Sequence, residues 1–348
     1  MKNDKRILYL DIIKIVSALM VILIHLMSIK WYVLDISDPN LMVLNILNAL
    51  ARVSVPMFVM ISGAMLLGDQ KHYTYAQLFK KYILRILVVY VVWSMIYAII
   101  SILPEITLYS GFELIKQFIY RTIQGPVHFW YLIMLVGLYL IIPFVNAIIK
   151  DRKLEEAFIL IAIIFIILKS LKEVVVIDTI ELYLLYLNFN FTVGYVVYFV
   201  LGHYIKSYTL SKLLKTIIYV LGVASFVFTF VMTWIFILDS KAVYDGFFGY
   251  LRPNILFSSI AMFVMLKDVL ENLKLSEKVN RWIRFLSEHN FGVFISHLVF
   301  VNVVGQLGLM DANVPYLILL PLLTLLVYGL SVMTTFVIRK IPFLKGVV

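Results

Sequence analysis

Apolar runs of about 20 residues, separated by short polar stretches, recur from one end of the chain to the other. They predict ten membrane spans, at roughly 7–29, 42–67, 82–103, 128–149, 155–170, 183–204, 213–238, 252–270, 290–310 and 315–338. Barrel strands would alternate over about ten residues instead, and these runs do not. The connections hold the turn and breaker residues: Asp38-Pro39, Pro104, Gly125-Pro126, Asp245-Gly246, Pro253 and Pro315. The expected fold is an all-α polytopic membrane protein, one integral-membrane domain over residues 1–348. Two connections read as amphipathic. In 104–127, Phe112, Ile115, Phe118 and Ile119 recur at helical spacing, as in an interfacial helix. The stretch 271–287, before the ninth span, is similar and basic.

Composition supports the same class. The chain is 63% hydrophobic and 14% charged, with a mean hydropathy of +1.00, which excludes an ordinary soluble domain. It has no cysteine, so disulfides, thiolate nucleophiles and Cys-based metal sites are ruled out. The opening apolar run is too long and too charged for a cleaved signal peptide. The net charge of +10 follows topology rather than a nucleic-acid footprint. With the N-terminus inside, 21 of the 30 Lys and Arg fall on inner segments and 7 on outer ones, which favours an even number of spans and two cytoplasmic ends. The other two, Lys14 and Arg52, lie within spans. The six histidines form no HxxxH or HxH pair, and no Gly-rich phosphate loop is present.

The polar residues inside the spans are the candidates for chemistry, because an ionisable group there costs a few kcal/mol and must face protein or water. The first span carries three. Lys14 and His25 are eleven residues apart, which places them within about 20° of one helix face and roughly 16 Å apart. Asp11 precedes Lys14 by three residues and shares that face. Asp11 and Lys14 can pair with each other, or Lys14 can snorkel to the inner surface. In the second span Arg52 lies near mid-bilayer and needs an anion or carbonyls, while Pro56 breaks the helix ladder beside it and Ser62-Gly63 allows close approach. Lys81 and Arg85 open the third span on one face, as inner-surface anchors or as a phosphate grip. His128, Trp130 and Tyr131 open the fourth, as a sugar-stacking surface or an aromatic belt. The ninth begins at Asn290-Phe291-Gly292 with His297 two turns in. His289 reads as an exposed loop residue, and His203 as an inner interfacial one.

In chain order these pieces resemble the membrane-bound acyltransferase 3 family, and within it the surface-polysaccharide O-acyltransferase branch. The first helix is similar to the family's "LD-x-x-R … H" as Leu10, Asp11, Lys14 and His25. The second fits "R-x-x-x-P-x-F-x-x-x-SG" as Arg52, Pro56, Phe58, Ser62 and Gly63. The fourth fits "H-x-W-[FY]-L … G-x-Y-L-x-x-P" as His128, Trp130, Tyr131, Leu132, Gly137, Tyr139, Leu140 and Pro143. The ninth fits "FG-[IV]-[YF]-x-x-H" as Phe291, Gly292, Val293, Phe294 and His297.

The resemblance implies transfer of an acyl group, usually acetyl, from cytoplasmic acyl-CoA to a hydroxyl of an extracytoplasmic glycan. It implies a multi-pass protein of a bacterial cytoplasmic membrane, with acyl-CoA as co-substrate and no tightly bound cofactor. Lipid, acyl-CoA and the glycan are the expected partners. His25 carries over as the residue central to transfer. An imidazole suits general-base activation of a hydroxyl, and Arg52 could meet the developing oxyanion. Asp11 is about 21 Å along the helix from His25 and cannot orient it. Asp11, Lys14, Lys81, Arg85 and His297 are expected on the acyl-CoA side, and His128, Trp130 and Tyr131 on the acceptor side. Lys14 departs from the family's arginine: it keeps the charge and loses the fork. A polysaccharide exporter or small-molecule transporter on the same fold is the alternative, since intramembrane charge also suits a carrier.

Overall fold

The computed structural model describes residues 7–68, 73–171 and 194–348. Of these, 83% are helical and none is in a strand. The helices are α1 (Leu8–Trp31), α2 (Pro39–Ala51), α3 (Ser54–Leu66), α4 (Tyr75–Leu78), α5 (Leu84–Ile102), α6 (Gly111–Gln124), α7 (Trp130–Leu140), α8 (Ile142–Ile148) and α9 (Arg152–Leu171). After the stretch 172–193 come α10 (Val196–Ser207), α11 (Lys212–Ser240), α12 (Pro253–Leu270), α13 (Glu277–Gln306) and α14 (Tyr316–Lys340). Among the described residues seven helical stretches are long and apolar enough to cross a bilayer: Leu8–Trp31, Pro39–Leu66, Tyr75–Leu108, Gly111–Leu140, Lys212–Ser240, Pro253–Leu270 and Tyr316–Lys340. Three helices expected to span, α9, α10 and α13, are too short, too charged or too polar to be counted with them. The expected span 183–204 lies partly outside the described residues.

Local chemistry sets the boundaries. Asp38 caps α2 by accepting from the Asn40 N–H, with Pro39 at the first helical position where its missing N–H is harmless. Thr74 and Gln77 form a reciprocal capping box that starts α4, which runs through a π-turn at Phe79–Ile83 into α5. Pro56 has no N–H to offer the Arg52 carbonyl, and the second span is interrupted there, between Ala51 and Ser54. The fourth span is likewise broken at Ile141, ahead of Pro143. The amphipathic helix expected in 104–127 is α6; it buries none of its residues and is held to α5 by Arg121 donating to the Ser101 carbonyl (2.8 Å).

The ninth expected span is corrected. Ser276 caps α13, which runs unbroken from Glu277 to Gln306, so Asn290 lies inside a helix rather than at its start. His289 is therefore buried in α13 and not in an exposed loop. His203 is buried as well, with Nδ1 2.8 Å from the buried Glu155 carboxylate.

The bundle is built around α1, which packs against α2, α3, α12, α13 and α14. α3 and α10 pack backbone to backbone: a Cβ at Gly63 would strike the Phe199 carbonyl, and one at Gly202 the Met60 carbonyl. Small residues at a helix crossing are how intramembrane helices gain van der Waals contact when lipid is as apolar as leucine. Gly63→Ala and Gly202→Ala are each expected to destabilise by about 1–3 kcal/mol, through overpacking. Gly137→Ala, where a Cβ meets open space, leaves stability unchanged or higher. Thermal melts in detergent check the contrast.

Candidate active site

Three imidazoles from distant parts of the chain meet inside the bundle. The His25 ring lies 5.2 Å from His297 and 6.1 Å from His128, centroid to centroid, and His128 lies 4.9 Å from His297. His25 comes from α1, His297 from the middle of α13, and His128 from the 3-10 turn Val127–Phe129 that leads into α7. His128 and His297 are buried and His25 is partly exposed.

The backbone sets the hydrogen positions on two of the rings. His297 Nδ1 lies 3.1 Å from the Val293 carbonyl oxygen and 2.7 Å from that of Phe294. A carbonyl only accepts, so Nδ1 carries the hydrogen and Nε2 of the neutral ring keeps its lone pair. His128 Nε2 faces the Ile295 carbonyl (3.3 Å), which leaves the lone pair on Nδ1. Both free nitrogens are buried without a hydrogen-bond partner among the described residues. A buried polar atom left unpaired costs about 1–3 kcal/mol, so the pair marks a place where a donor belongs.

α5 and its neighbours hold His128 in place. Tyr97 donates to the same Ile295 carbonyl (2.8 Å) and packs its ring edge-on to His128 at 5.7 Å. Tyr90 donates to the Ile123 carbonyl (3.0 Å), tying down the end of α6. The chain then turns at Gly125, with φ 64° and ψ 169°, a conformation nearly confined to glycine.

Arg52 sits at the break between α2 and α3. Its Nε donates to Asn48 Oδ1 (2.9 Å), and its guanidinium lies 5.0 Å from the Phe248 ring and 5.9 Å from that of Tyr250. The expected acceptor residues point in different directions. His128 faces the other histidines. Tyr131 is buried against Phe58 and Phe294. Trp130 is 39% exposed and packs on Tyr195 and Tyr250.

The expected donor residues divide too. Ser287 Oγ donates to Asp11 Oδ1 (2.6 Å), and Lys14 Nζ donates to the Ser287 carbonyl (3.0 Å), so both α1 residues are engaged with α13. Lys81 is exposed, with its ammonium 5.2 Å from the Tyr82 ring. Arg85 donates to the Val348 carbonyl oxygen (2.9 Å) and lies 5.4 Å from the Phe291 ring. His297, read from sequence with the donor set, is instead beside His25. Tyr97, Ser287, Tyr195 and Tyr250 escape the sequence reading, and Asn290 enters it only as the start of a span. Asn290 lies seven residues before His297, a spacing that could have flagged it. Among the described residues no group of three or more His, Cys, Asp or Glu is arranged to hold a metal ion.

Such a cluster, in a bundle with seven helical stretches long and apolar enough to cross a bilayer, fits a multi-pass membrane protein with chemistry among its helices. The family model for the acyltransferase 3 domain matches residues 7–339, and the chain belongs to that family. It is accordingly a membrane O-acyltransferase. No curated protein and no solved structure matches it.

Gly125 offers a test of the site. A Cβ there would meet the Tyr90 hydroxyl at 2.8 Å in a backbone conformation that side chains avoid. Gly125→Ala is expected to shift His128 and lower acyl transfer by about tenfold or more, since small misplacements of reacting groups are costly. Gly111→Ala also strains a positive φ, but in open space far along α6 from the cluster, and leaves turnover near the native level. Steady-state rates of the two variants decide.

Proposed function

We propose that this enzyme moves an acyl group, acetyl foremost, from acyl-CoA at the cytoplasmic face to a hydroxyl of an extracytoplasmic glycan. The chain crosses the membrane ten times with both ends inside, as its alternating Lys and Arg favour. The observation that carries the reading is the cluster of three imidazoles within the bundle, two of which present buried, unprotonated nitrogens.

His25 is the base. In its neutral form it has one N–H and one lone pair, and the lone pair accepts from the glycan hydroxyl. The hydroxyl oxygen attacks the thioester carbonyl as its proton passes to His25. The C–S bond breaks, the ester forms, and the thiolate of CoA recovers the proton from the imidazolium. The neighbouring lone pair favours the transient imidazolium, and the charge of Arg52 favours the oxyanion. The donor approaches from the Arg85 end, where Trp93, Tyr97 and His128 follow one another at ring separations of 6.3 and 5.7 Å. The acceptor approaches past the exposed Trp130 with Tyr195 and Tyr250, rings of the kind that stack on sugars.

His25→Ala is expected to lower acyl transfer by about 10²–10⁴-fold, the usual share of a general base. The assay is CoA release by purified protein in proteoliposomes with acetyl-CoA outside and glycan enclosed. Full turnover by a folded His25→Ala protein overturns the role. Glycan movement without CoA release favours the carrier. In cells, deletion of the chain should remove an O-ester from the surface polysaccharide.

A further inference from the structure

The polar contact between α1 and α13 lies at some distance from the histidines and is not consumed by the chemistry above. Asn290 is 1% exposed and uses both halves of its amide. Its Nδ2 donates to the Lys14 carbonyl oxygen (2.7 Å), and its Oδ1 accepts from the Tyr328 hydroxyl (2.9 Å) of α14. One turn earlier, Ser287 Oγ donates to Asp11 Oδ1 and the Ser287 carbonyl accepts from Lys14 Nζ. Four hydrogen bonds thus join three helices at one level of the bundle. Asp11 meets Ser287, Lys14 meets Asn290, and His25 meets His297, so α1 and α13 run in the same direction.

We propose that Asn290 is a positioning residue for the histidine cluster: with Ser287 and Tyr328 it fixes the one register of α13 on α1 that sets His297 against His25. The inference rests on the proposed function, which requires those two rings to meet. Asn290 and His297 are seven residues apart, about 20° short of two full turns and about 10 Å along the axis, so they share a helix face. The apolar contacts around them are non-directional and tolerate sliding or rotation. The hydrogen bonds do not. A one-residue slip turns α13 by about 100° relative to its partners and would break all four. A buried amide stripped of either partner is left unsatisfied where no water replaces it. Asn290 also fits the task chemically: it donates to a backbone carbonyl on one helix and accepts from a phenol on another, which no apolar or singly functional side chain does.

The absence of cysteine makes the register directly measurable. A His25→Cys/His297→Cys protein, treated with dibromobimane, fluoresces only when the two thiols are bridged. The bridged yield is compared in the native background, with Asn290→Leu, and with Tyr328→Phe. In chains that keep their histidines, kcat and the KM for acetyl-CoA are measured for the same two variants. Asn290→Leu is expected to reduce the bridged yield and to lower kcat by about tenfold, as a misplaced reacting group does. KM is expected to change less than kcat, since Arg85 and Trp93, at the donor's approach, lie on α5 rather than α13. Tyr328→Phe, which removes one hydroxyl, is expected to move yield and kcat the same way by less, and it carries the test alone if Asn290→Leu does not fold. Native bridging yield in the folded variants overturns the proposal, whether or not kcat falls. A failure of the function itself leaves a different mark, His25→Ala at full turnover, because the bridging yield is read without acyl transfer.

Discussion

An ionisable side chain inside a bilayer must be satisfied by protein, and α1 carries three. Asp11 and Lys14 would each cost about 2.5–3.5 kcal/mol at the centre of a lipid-exposed helix. A helix so loaded cannot stand at the rim of the bundle. It packs instead against five neighbours, and its polar residues are shared out among them. Asp11 and Lys14 engage Ser287 of α13, while His25 closes on His128 and His297. α11 shows the opposite case: its side chains Val220, Val223, Val227 and Val231 are exposed, as suits a lipid-facing helix without charges in its middle. The position of α1 at the centre and the existence of an enclosed cluster thus follow from the same penalty.

The same penalty explains where the backbone is irregular. Non-helical backbone at membrane depth survives only where protein covers it. The break at Arg52-Val53 has Val53 buried, and the 3-10 turn at Val127–Phe129 buries His128 and Phe129, setting His128 beside the other two imidazoles. Pro56 makes the first break by withholding an N–H, and Gly125 permits the second by adopting a backbone closed to other residues. An uninterrupted helix could not present His128 from its first turn with its ring nitrogen against a carbonyl of α13.

Much of this was legible in the chain. Hydropathy located the helices, and the eleven-residue spacing of Lys14 and His25 put both on the face that meets α13. Pro56 announced the break beside Arg52, and Gly63 the close crossing with α10. The sequence reading nevertheless distributed His25, His128 and His297 among three roles, whereas the structure gathers them within about 6 Å of one another. Helical periodicity relates residues within a helix; it carries no information on which faces of helices more than 100 residues apart come together. Asn290 was misread for a related reason. Polar and glycine residues after a charged stretch look like the start of a span, but Ser276 caps the helix well upstream, and an amphipathic prelude continues into the apolar part without a break. That continuity is what buries His289 and brings Ser287 within reach of Asp11.

The hydrogen count of the cluster constrains what can enter it. Three neutral imidazoles bring three N–H groups and three lone pairs. Backbone carbonyls of α13 take the N–H of His297 and the N–H of His128, so one N–H remains, on His25. The lone pairs of His128 Nδ1 and His297 Nε2 are buried with no hydrogen-bond partner among the described residues. The arrangement is therefore deficient in donors, and an incoming hydroxyl is the simplest group that brings one. A thioester has no N–H or O–H at its reacting carbonyl and cannot fill that need. On the proposed reading this deficit suits the acceptor alcohol better than the acyl donor, whose reacting carbonyl brings no hydrogen to it.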